Sequence, residues 1–373
     1  MRLKFRTFGR IKANIMNYQI KVNKTSESRL SKEDFSKLGF GKIFSDHMFI
    51  ADYENGKWGD FRIVPFDYLP MHPAMSSIHY GQSIFEGLKA RKNDKNEIVI
   101  FRPEKNLERL NRSAVRMAMP QISEELFFQA LDELLKLDNQ WIPDAEGTSL
   151  YIRPYVFATD EFIGIRRSSK YKFIIFTSPV ASYYSGPVKV YASDDYVRAF
   201  PGGTGFAKTA GNYARAIQPV EEINKRGYQQ ILWLDGIHKK FLQEIGTMNI
   251  FIVIDGKVVT PSLEEGTILH GVTRDSVITL LKEWGIPVEE RPISIDEVTD
   301  AHKSGHLEDA FGAGTAATIS PIMAIGYKDD EFSLPPIEDR KISSRLLKAI
   351  TSIKNGEIED THQWLRVLSL ASV

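Results

Sequence analysis

The sequence predicts an α+β fold in two domains. With 373 residues, the chain is longer than a single hydrophobic core usually organises. Strand and helix patterns come in runs instead of strict alternation, which favours α+β over a doubly wound parallel sheet. The second half holds two Asp-Gly turns between β-branched or aromatic runs, the pattern of antiparallel hairpins. We expect a small N-terminal α/β domain at residues 26–180, a linker at 181–191, and a larger C-terminal domain rich in antiparallel strands at 192–373.

Hydrophobic periodicity places the individual elements in chain order. Residues 123–137 read SEELFFQALDELLKL, with apolar residues at helical spacing behind a Ser123 N-cap. A strand pair follows in SLYIRPYVFA and YKFIIFTSP, and the Ser, Tyr, Gly and Pro of VASYYSGPVKVYASDD indicate the linker. ILWLDGIHKKFLQE and NIFIVIDGKVVTP predict two hairpins. Helices return at residues 273–285 and in SSRLLKAITSIKNG.

Composition excludes several classes of function. Lys plus Arg and Asp plus Glu both total 48, so no global charge favours nucleic acid or an acidic membrane. The chain has no cysteine, which excludes disulfides, thiolate catalysis, iron–sulfur clusters and Cys-ligated zinc, and we predict no metal site. The longest apolar runs are strand-length, well below the roughly 18 residues that a membrane span needs.

The N-terminus is strongly basic. Seven Lys or Arg and no acidic residue precede Glu27, a composition similar to that of a transit peptide. An upstream start codon, with the protein proper beginning at Met16, explains the same pattern. We expect residues 1–25 to form a flexible basic extension and the protein to be cytoplasmic, with organellar targeting left open.

Lys208 is the one charged residue between Arg198 and Arg215, in the stretch FPGGTGFAKTAGNYARA. The stretch misses a phosphate-binding loop by one position, because Ala207 stands where glycine is required, and no apolar strand precedes it. A solvated surface lysine is the plainest alternative. The third interpretation is covalent: small, weakly polar neighbours favour a neutral amine, which attacks a carbonyl to form a Schiff base.

A lysine Schiff base serves amino-acid chemistry when its partner is pyridoxal phosphate, whose ring accepts electrons. That cofactor needs an anion site, an acid facing its pyridine nitrogen and a donor at its phenolate oxygen. HGVTRDS leads a glycine into a predicted helix N-terminus, which binds anions, and GAGTAATIS and Arg102 in FRP are further candidates. Glu244 lies between apolar residues, where a carboxylate is costly unless it is paired. Tyr213, five residues after Lys208, is the candidate donor.

Together these segments resemble the branched-chain amino-acid aminotransferases, which are pyridoxal-phosphate enzymes of fold type IV. The matching motifs are YGQSIFEGLKA, FRPEKNLERLNRSA, LYIRP, GFAKTAGNY, FLQEIGTMNIF, HGVTRDS and FGAGTAA, in the family's order and spacing across residues 40–370. The resemblance implies transamination of L-leucine, L-isoleucine and L-valine with 2-oxoglutarate, giving branched-chain 2-oxo acids and L-glutamate. It also implies small-molecule amino acids and 2-oxo acids as the partners, a homodimer with shared active sites, and no nucleic acid or membrane.

The resemblance also assigns roles to residues. It implies that Lys208 carries pyridoxal 5'-phosphate as a Schiff base and moves the substrate's α-proton, while Glu244 faces the pyridine nitrogen and Tyr213 bonds the phenolate oxygen. The other cofactor contacts that it implies are Arg102, Thr247, Val272, Thr273 and Thr315. The substrate contacts that it implies are Tyr80, Phe85, Tyr151, Arg153, Ile163, Ile165, Tyr183, Thr247, Ala316 and Ala317.

Some of these contacts have a specific meaning in the family. Tyr80, Ile163 and Ile165 match positions supplied from the partner subunit, and Tyr183 and Arg198 match the interdomain loop and its neighbourhood. Arg153 matches the arginine that meets the second carboxylate of glutamate. The amides of Ala316 and Ala317 are expected to bind the α-carboxylate.

Four alternatives stay open. A D-amino-acid aminotransferase and an aminodeoxychorismate lyase share the lysine, the glutamate and the phosphate site, and they differ in the substrate pocket. The segments YGQSIFEG, YIRP and GTMNIF favour the L-branched-chain enzymes. A phosphate-loop nucleotide-binding protein and a non-enzymatic cofactor-binding module are the alternatives from other classes.

Overall fold

Two β-sheets with associated helices organise the chain. The computed structural model describes residues 17–181 and 186–370. Its strands are β1 (Lys21–Val22), β2 (His47–Glu54), β3 (Lys57–Pro65), β4 (Ser83–Phe85), β5 (Leu88–Lys92), β6 (Ile98–Phe101), β7 (Ser149–Ala158), β8 (Tyr171–Val180), β9 (Val188–Ser193), β10 (Gln230–Leu234), β11 (Leu242–Ile245), β12 (Met248–Ile254), β13 (Lys257–Thr260), β14 (Val288–Glu290), β15 (Leu307–Gly314), β16 (Thr318–Tyr327), β17 (Asp330–Ser333) and β18 (Leu365–Leu368). Its helices are α1 (Ser76–Tyr80), α2 (Pro103–Arg116), α3 (Glu124–Leu137), α4 (Ala210–Ala214), α5 (Ile217–Lys225), α6 (Val272–Glu283), α7 (Ile295–Lys303) and α8 (Lys341–Asn355). This mixture confirms the predicted α+β class.

The first sheet has the strand order β1-β3-β2-β8-β7-β5-β6-β18, and β4 also pairs with β7. The predicted strand pair β7 and β8 is antiparallel along its length. Helices α2 and α3 bury apolar residues in the same core as this sheet. Helix α3 begins as predicted, because the Ser123 hydroxyl accepts the backbone N–H of Leu126 at 3.2 Å and so satisfies one of the free donors of the first turn.

The second sheet has the order β11-β10-β9-β16-β15-β12-β13-β14, with β17 on β16. Because β11 pairs with β12 as well as with β10, the strands from β11 round to β12 close into a ring. Alternate apolar residues of the ring strands form one cluster with α7. Helices α6 and α8 pack in a further cluster with β12 and β15.

The two predicted hairpins differ in their connections. Strands β12 and β13 join through Asp255 and Gly256, whose φ angles of 49° and 70° are those of a left-handed two-residue turn. Strands β10 and β11 are antiparallel, as predicted, but a longer loop joins them. In that loop the Asp235 carboxylate accepts the backbone N–H groups of His238 and Phe241 at 2.6 and 2.8 Å. The first Asp-Gly pair therefore starts a side-chain-capped loop and not a tight turn.

The ends of the expected domains differ in detail from the sheets. Residues 17–25 belong to the fold and are not a free extension, since β1 pairs in parallel with β3; residues 1–16 lie outside the described residues. Of the predicted linker, residues 182–185 are also outside them, and Val188 onward already forms β9, in which most residues are buried. Strand β18 returns to pair with β6 of the first sheet. The domain bounds themselves stay a prediction.

Loops from the second sheet meet one face of the first. The coil before α4, the β11–β12 turn, the start of α6 and the β15–β16 turn all line the cavity that β4 and β7 also line. Among the described helices, none combines the length and the apolar composition that crossing a bilayer requires.

Candidate active site

A cavity of about 570 Å³ lies between the two sheets, in the size range of small-molecule sites. It is lined from the first sheet by aromatic side chains and one cation, Phe85, Tyr151, Arg153 and Tyr155. Loops of the second sheet line it with small, hydroxylated or basic residues, Lys208, Tyr213, Thr247, Val272, Thr273, Thr315 and Ala316. Most of the residues predicted from motifs scattered along the sequence therefore meet in one place.

Lys208 lies on the wall of this cavity. Its Nζ donates to the Tyr213 hydroxyl at 2.7 Å and lies 4.8 Å from the centre of the Phe85 ring. Its backbone N–H donates to the Ser113 Oγ at 2.9 Å, and its carbonyl accepts the Phe85 N–H at 3.1 Å. The amine is thus held at a defined point by contacts from both halves of the chain.

Glycine in the stretch before Lys208 has a steric reason. An ideal Cβ on Gly205 would lie 2.2 Å from the carbonyl oxygen of Thr267, so no larger residue fits there without a backbone shift. This close approach packs the coil against the loop that leads to α6. The glycines of the stretch serve backbone packing, whereas a phosphate-binding loop would need glycine at Ala207.

Glu244 is buried and paired. Its Oε2 lies 3.1 Å from the Arg198 Nε, and its Oε1 accepts the backbone N–H of Leu269. Burial raises the pKa of the Glu244 carboxyl even though the charge of Arg198 acts in the opposite direction. The carboxyl lines a neighbouring cavity that Tyr213 and Thr247 share with the main one. It is therefore positioned to hold or share a proton with a ring nitrogen beside Tyr213.

The start of helix α6 forms the anion site predicted from HGVTRDS. Val272 and Thr273 open the helix and line the cavity, with Thr315 of the β15–β16 turn lining it as well. An ideal Cβ on Gly271 would lie 2.0 Å from the Asn249 Oδ1, so glycine is required for this backbone approach. Free N–H groups and the helix dipole favour a phosphate here.

Arg102 is beside α6 but does not line the main cavity. Its guanidinium donates to the Asp275 Oδ2 at 2.6 Å and to the Ser276 Oγ at 2.7 Å, and it lies 4.9 Å from the centre of the Trp364 ring. Both bonded residues belong to the first turns of α6. In this structure Arg102 therefore fixes the helix start instead of pointing a free charge into the cavity.

The aromatic wall contains one guanidinium. Arg153 lies 4.7 Å from the centre of the Phe85 ring and 5.3 Å from that of Tyr151, and it donates to the Tyr151 hydroxyl at 3.0 Å. Its Nε is buried without a hydrogen-bond partner among the described residues. An unsatisfied, buried donor on a cation is costly, and a ligand carboxylate would satisfy it.

Several predicted residues lie elsewhere. Tyr80, Ile163 and Ile165 are exposed, the last with 94% of its surface accessible, and do not line the cavity. Ala317 packs against the core of the second sheet next to the lining residue Ala316. Tyr183 lies outside the described residues.

Sequence reasoning missed a buried ion pair under the cavity. Arg109 lines the cavity and donates to both carboxylate oxygens of Glu86, at 2.7 and 2.8 Å. Burial by itself favours the neutral carboxyl, but Arg109 and the amide of Asn106 outweigh it and lower the pKa of Glu86. Both charged residues lie inside the quoted motifs YGQSIFEGLKA and FRPEKNLERLNRSA, yet neither has a periodicity that indicates burial. The Arg198–Glu244 pair was missed for the same reason.

Known proteins resemble the chain over most of its length. The family model "Amino-transferase class IV" matches residues 83–325. The "Branched-chain-amino-acid aminotransferase 2" of Bacillus subtilis (strain 168) is 49% identical over 349 residues, which cover 92% of this chain and 96% of the relative. The crystal structure of the branched-chain aminotransferase of the thermophilic archaeon Thermoproteus uzoniensis with norvaline is 26% identical, with a TM-score of 0.73, and covers 87% of this chain and 100% of that one. A T.th. branched-chain amino acid aminotransferase complexed with N-(5'-phosphopyridoxyl)-L-glutamate is 22% identical, with a TM-score of 0.68 over 88% of this chain and 98% of its own, a likeness in fold.

Proposed function

This chain belongs to the amino-transferase class IV family, and from that membership we propose that it transfers the amino group of L-leucine, L-isoleucine or L-valine to 2-oxoglutarate. The products are the branched-chain 2-oxo acids and L-glutamate. One observation carries the proposal: the Lys208 amine and the Arg153 guanidinium line the same cavity, which is otherwise walled by aromatic and small residues. The branched-chain aminotransferase of Bacillus subtilis, at 49% identity, supports the substrate class.

The residues of the cavity fit the cofactor of this enzyme class. Fold type IV aminotransferases use pyridoxal phosphate, which supplies an aldehyde for the amine and a ring that accepts electrons. We assign Lys208 to the aldehyde, Tyr213 to the phenolate oxygen and Glu244 to the pyridine nitrogen. The amides at the start of α6, with Val272, Thr273 and Thr315, are assigned to the phosphate, and Thr247 lines the space beside them.

Each of these side chains then has a task in moving protons. When substrate displaces it, the amine of Lys208 takes the proton from the substrate's α-carbon and returns it to the carbon that had carried the aldehyde. The Tyr213 hydroxyl, 2.7 Å from that amine, orients it. The buried carboxyl of Glu244 keeps a proton at the pyridine nitrogen, and Arg198 holds the carboxyl in place. Arg102 contributes by fixing the helix start through Asp275 and Ser276.

The cavity explains how one site accepts both an aliphatic and an acidic amino acid. Phe85 and Tyr151 offer an apolar surface to a leucine, isoleucine or valine side chain, and Arg153 offers a cation to the second carboxylate of glutamate. The amides of Ala316 and Ala317 are assigned to the α-carboxylate. One methylene in such a pocket changes binding by only about 1–3 kcal/mol, so we expect weak discrimination among the three aliphatic substrates.

The active unit is proposed to be a homodimer with shared sites. Tyr80, Ile163 and Ile165 are exposed apolar residues, at 41%, 67% and 94% accessible surface. Exposed apolar residues of this kind are expected where a second subunit packs. Analytical ultracentrifugation of the holoenzyme tests this, and a monomer that retains full activity would contradict it.

The enzyme assay tests the proposed function. With pyridoxal phosphate present, L-leucine and 2-oxoglutarate should give glutamate, whereas D-alanine should give none. Lys208→Ala should abolish turnover while the circular dichroism spectrum stays that of the native protein. Turnover of D-alanine without turnover of L-leucine would favour the D-amino-acid aminotransferase instead.

A further inference from the structure

Three basic side chains lie together behind the proposed phosphate site. Lys89 and Arg91 project from the same strand, β5, and Lys354 comes from the last turn of α8. All three line a cavity of about 30 Å³, and Thr273 and Thr315 line both this cavity and the main one. We call Lys89, Arg91 and Lys354 the cation cluster.

The cluster contacts the turn that carries Thr315. The Lys89 Nζ donates to the Ala316 carbonyl oxygen at 2.7 Å, and the Lys354 Nζ donates to the Thr318 Oγ1 at 2.9 Å. Thr318 has a φ of 63°, a left-handed conformation that is strained for a β-branched residue. The turn is therefore held in an unfavourable shape by two ammonium groups.

The positive charge of the cluster is poorly compensated. Among residues 17–181 and 186–370, no carboxylate lies within ion-pair distance of Lys89 or Lys354, and Arg91 donates to the amide oxygen of Asn355, with Glu357 nearby. Burial and the charge of Arg91 lower the pKa of Lys89 to about 8, and burial with the charges of Lys89 and Arg91 lowers the pKa of Lys354 further. An anion in the shared space would relieve this repulsion.

We propose that the cation cluster binds the phosphate charge of the cofactor from behind the start of α6, and that Lys354 is a determinant of cofactor affinity. The inference rests on the proposed function for the identity of the anion. The 30 Å³ cavity has room for an ordered water, so the ammonium groups act on the phosphate across that space. Arg102, whose guanidinium is engaged by Asp275, leaves this task to the cluster.

The test is Lys354→Met, which removes the charge and keeps the length of the side chain. Its affinity for pyridoxal phosphate, titrated by absorbance with the apo-protein, should fall by roughly tenfold or more. Its affinity for pyridoxal, which lacks the phosphate, should stay within twofold of wild type. Inorganic phosphate should raise the melting temperature of wild-type apo-protein more than that of the variant, whose own melting temperature without phosphate should be equal or higher.

Two further variants keep the test decisive. Lys348→Met, at an exposed position of the same helix, should bind pyridoxal phosphate as wild type does. Lys354→Arg should retain the phosphate-dependent affinity, and Lys89→Met replaces Lys354→Met if the latter does not fold. Equal loss for pyridoxal and pyridoxal phosphate, or no loss for either, would overturn the inference. Wild-type protein that binds the cofactor but does not transaminate leucine would refute the proposed function and leave this inference standing.

Discussion

Replacing Arg153 with methionine should separate the two halves of the proposed reaction. The guanidinium lies between the rings of Phe85 and Tyr151, and its Nε has no partner among the described residues. Methionine keeps much of the apolar length and removes the charge. Recognition of the second carboxylate of glutamate should therefore be lost, while the apolar wall that meets leucine is largely kept.

The size of the effect follows from the setting of the charge. Truncating one partner of a buried, hydrogen-bonded charge pair costs about 2–5 kcal/mol. Since 1.4 kcal/mol is tenfold, the kcat/KM for glutamate and 2-oxoglutarate should fall by roughly 30-fold or more. For leucine no charge pair is lost, so we expect its kcat/KM to change by less than about threefold.

Single-turnover half-reactions measure the two effects separately. The holoenzyme is mixed with either leucine or glutamate alone, and the change in cofactor absorbance is followed at several concentrations. Arg345→Met, on helix α8 and outside the cavity lining, is the matched control and should leave both half-reactions unchanged. Equal losses for leucine and glutamate in Arg153→Met would refute the assignment of Arg153 to the second carboxylate.

Three other substitutions test the frame of the site. Arg109→Met should lower the free energy of unfolding by about 3–5 kcal/mol in denaturant titrations, because it leaves Glu86 buried and unpaired, and the double variant with Glu86→Leu should recover part of that loss. Ser113→Ala should cost about 1–3 kcal/mol in the same assay, because it removes the acceptor of the Lys208 backbone N–H. Asp235→Asn should be destabilising at neutral pH, and its deficit relative to wild type should shrink on acidification.

The sign of the pH effect follows from the Asp235 carboxylate. Burial favours its neutral form, but the backbone N–H bonds that it accepts outweigh burial and lower its pKa in the folded state. Its stabilisation is therefore complete above the ordinary pKa near roughly 4 and is lost as the pH falls through the lower folded value.

Each of these expectations has an outcome that contradicts it. A deficit of Asp235→Asn that does not change between pH 7 and pH 3 would contradict the Asp235 assignment. Arg109→Met without a loss of stability, or a double variant less stable than it, would contradict the account of the buried pair. Ser113→Ala with wild-type stability would show that another acceptor serves the Lys208 N–H.

Local features of the fold could be predicted from the sequence because they depend on neighbouring residues. The Ser123 cap, the Asp255-Gly256 turn and the Lys208–Tyr213 contact each lie within one short segment. The motif resemblance added the residues that meet in the cavity, although it had no means to place their side chains.

Pairings across the fold could not be predicted in this way. Glu244 meets Arg198, and Glu86 meets Arg109, because sheet and helix packing brings distant segments together. A buried glutamate in an apolar segment indicates that a partner exists, without indicating which one. Arg102 is a similar case, because its neighbour Asp275 on α6 decides where its guanidinium points.

Chemical trapping of the cofactor tests the central claim most directly. The protein is incubated with pyridoxal phosphate, reduced with borohydride, digested and analysed by mass spectrometry. Lys89 and Lys354 border the same space, so the experiment chooses among three lysines close to the proposed site. We predict the phosphopyridoxyl group on Lys208 alone; its presence on another lysine, or on none, would contradict the account.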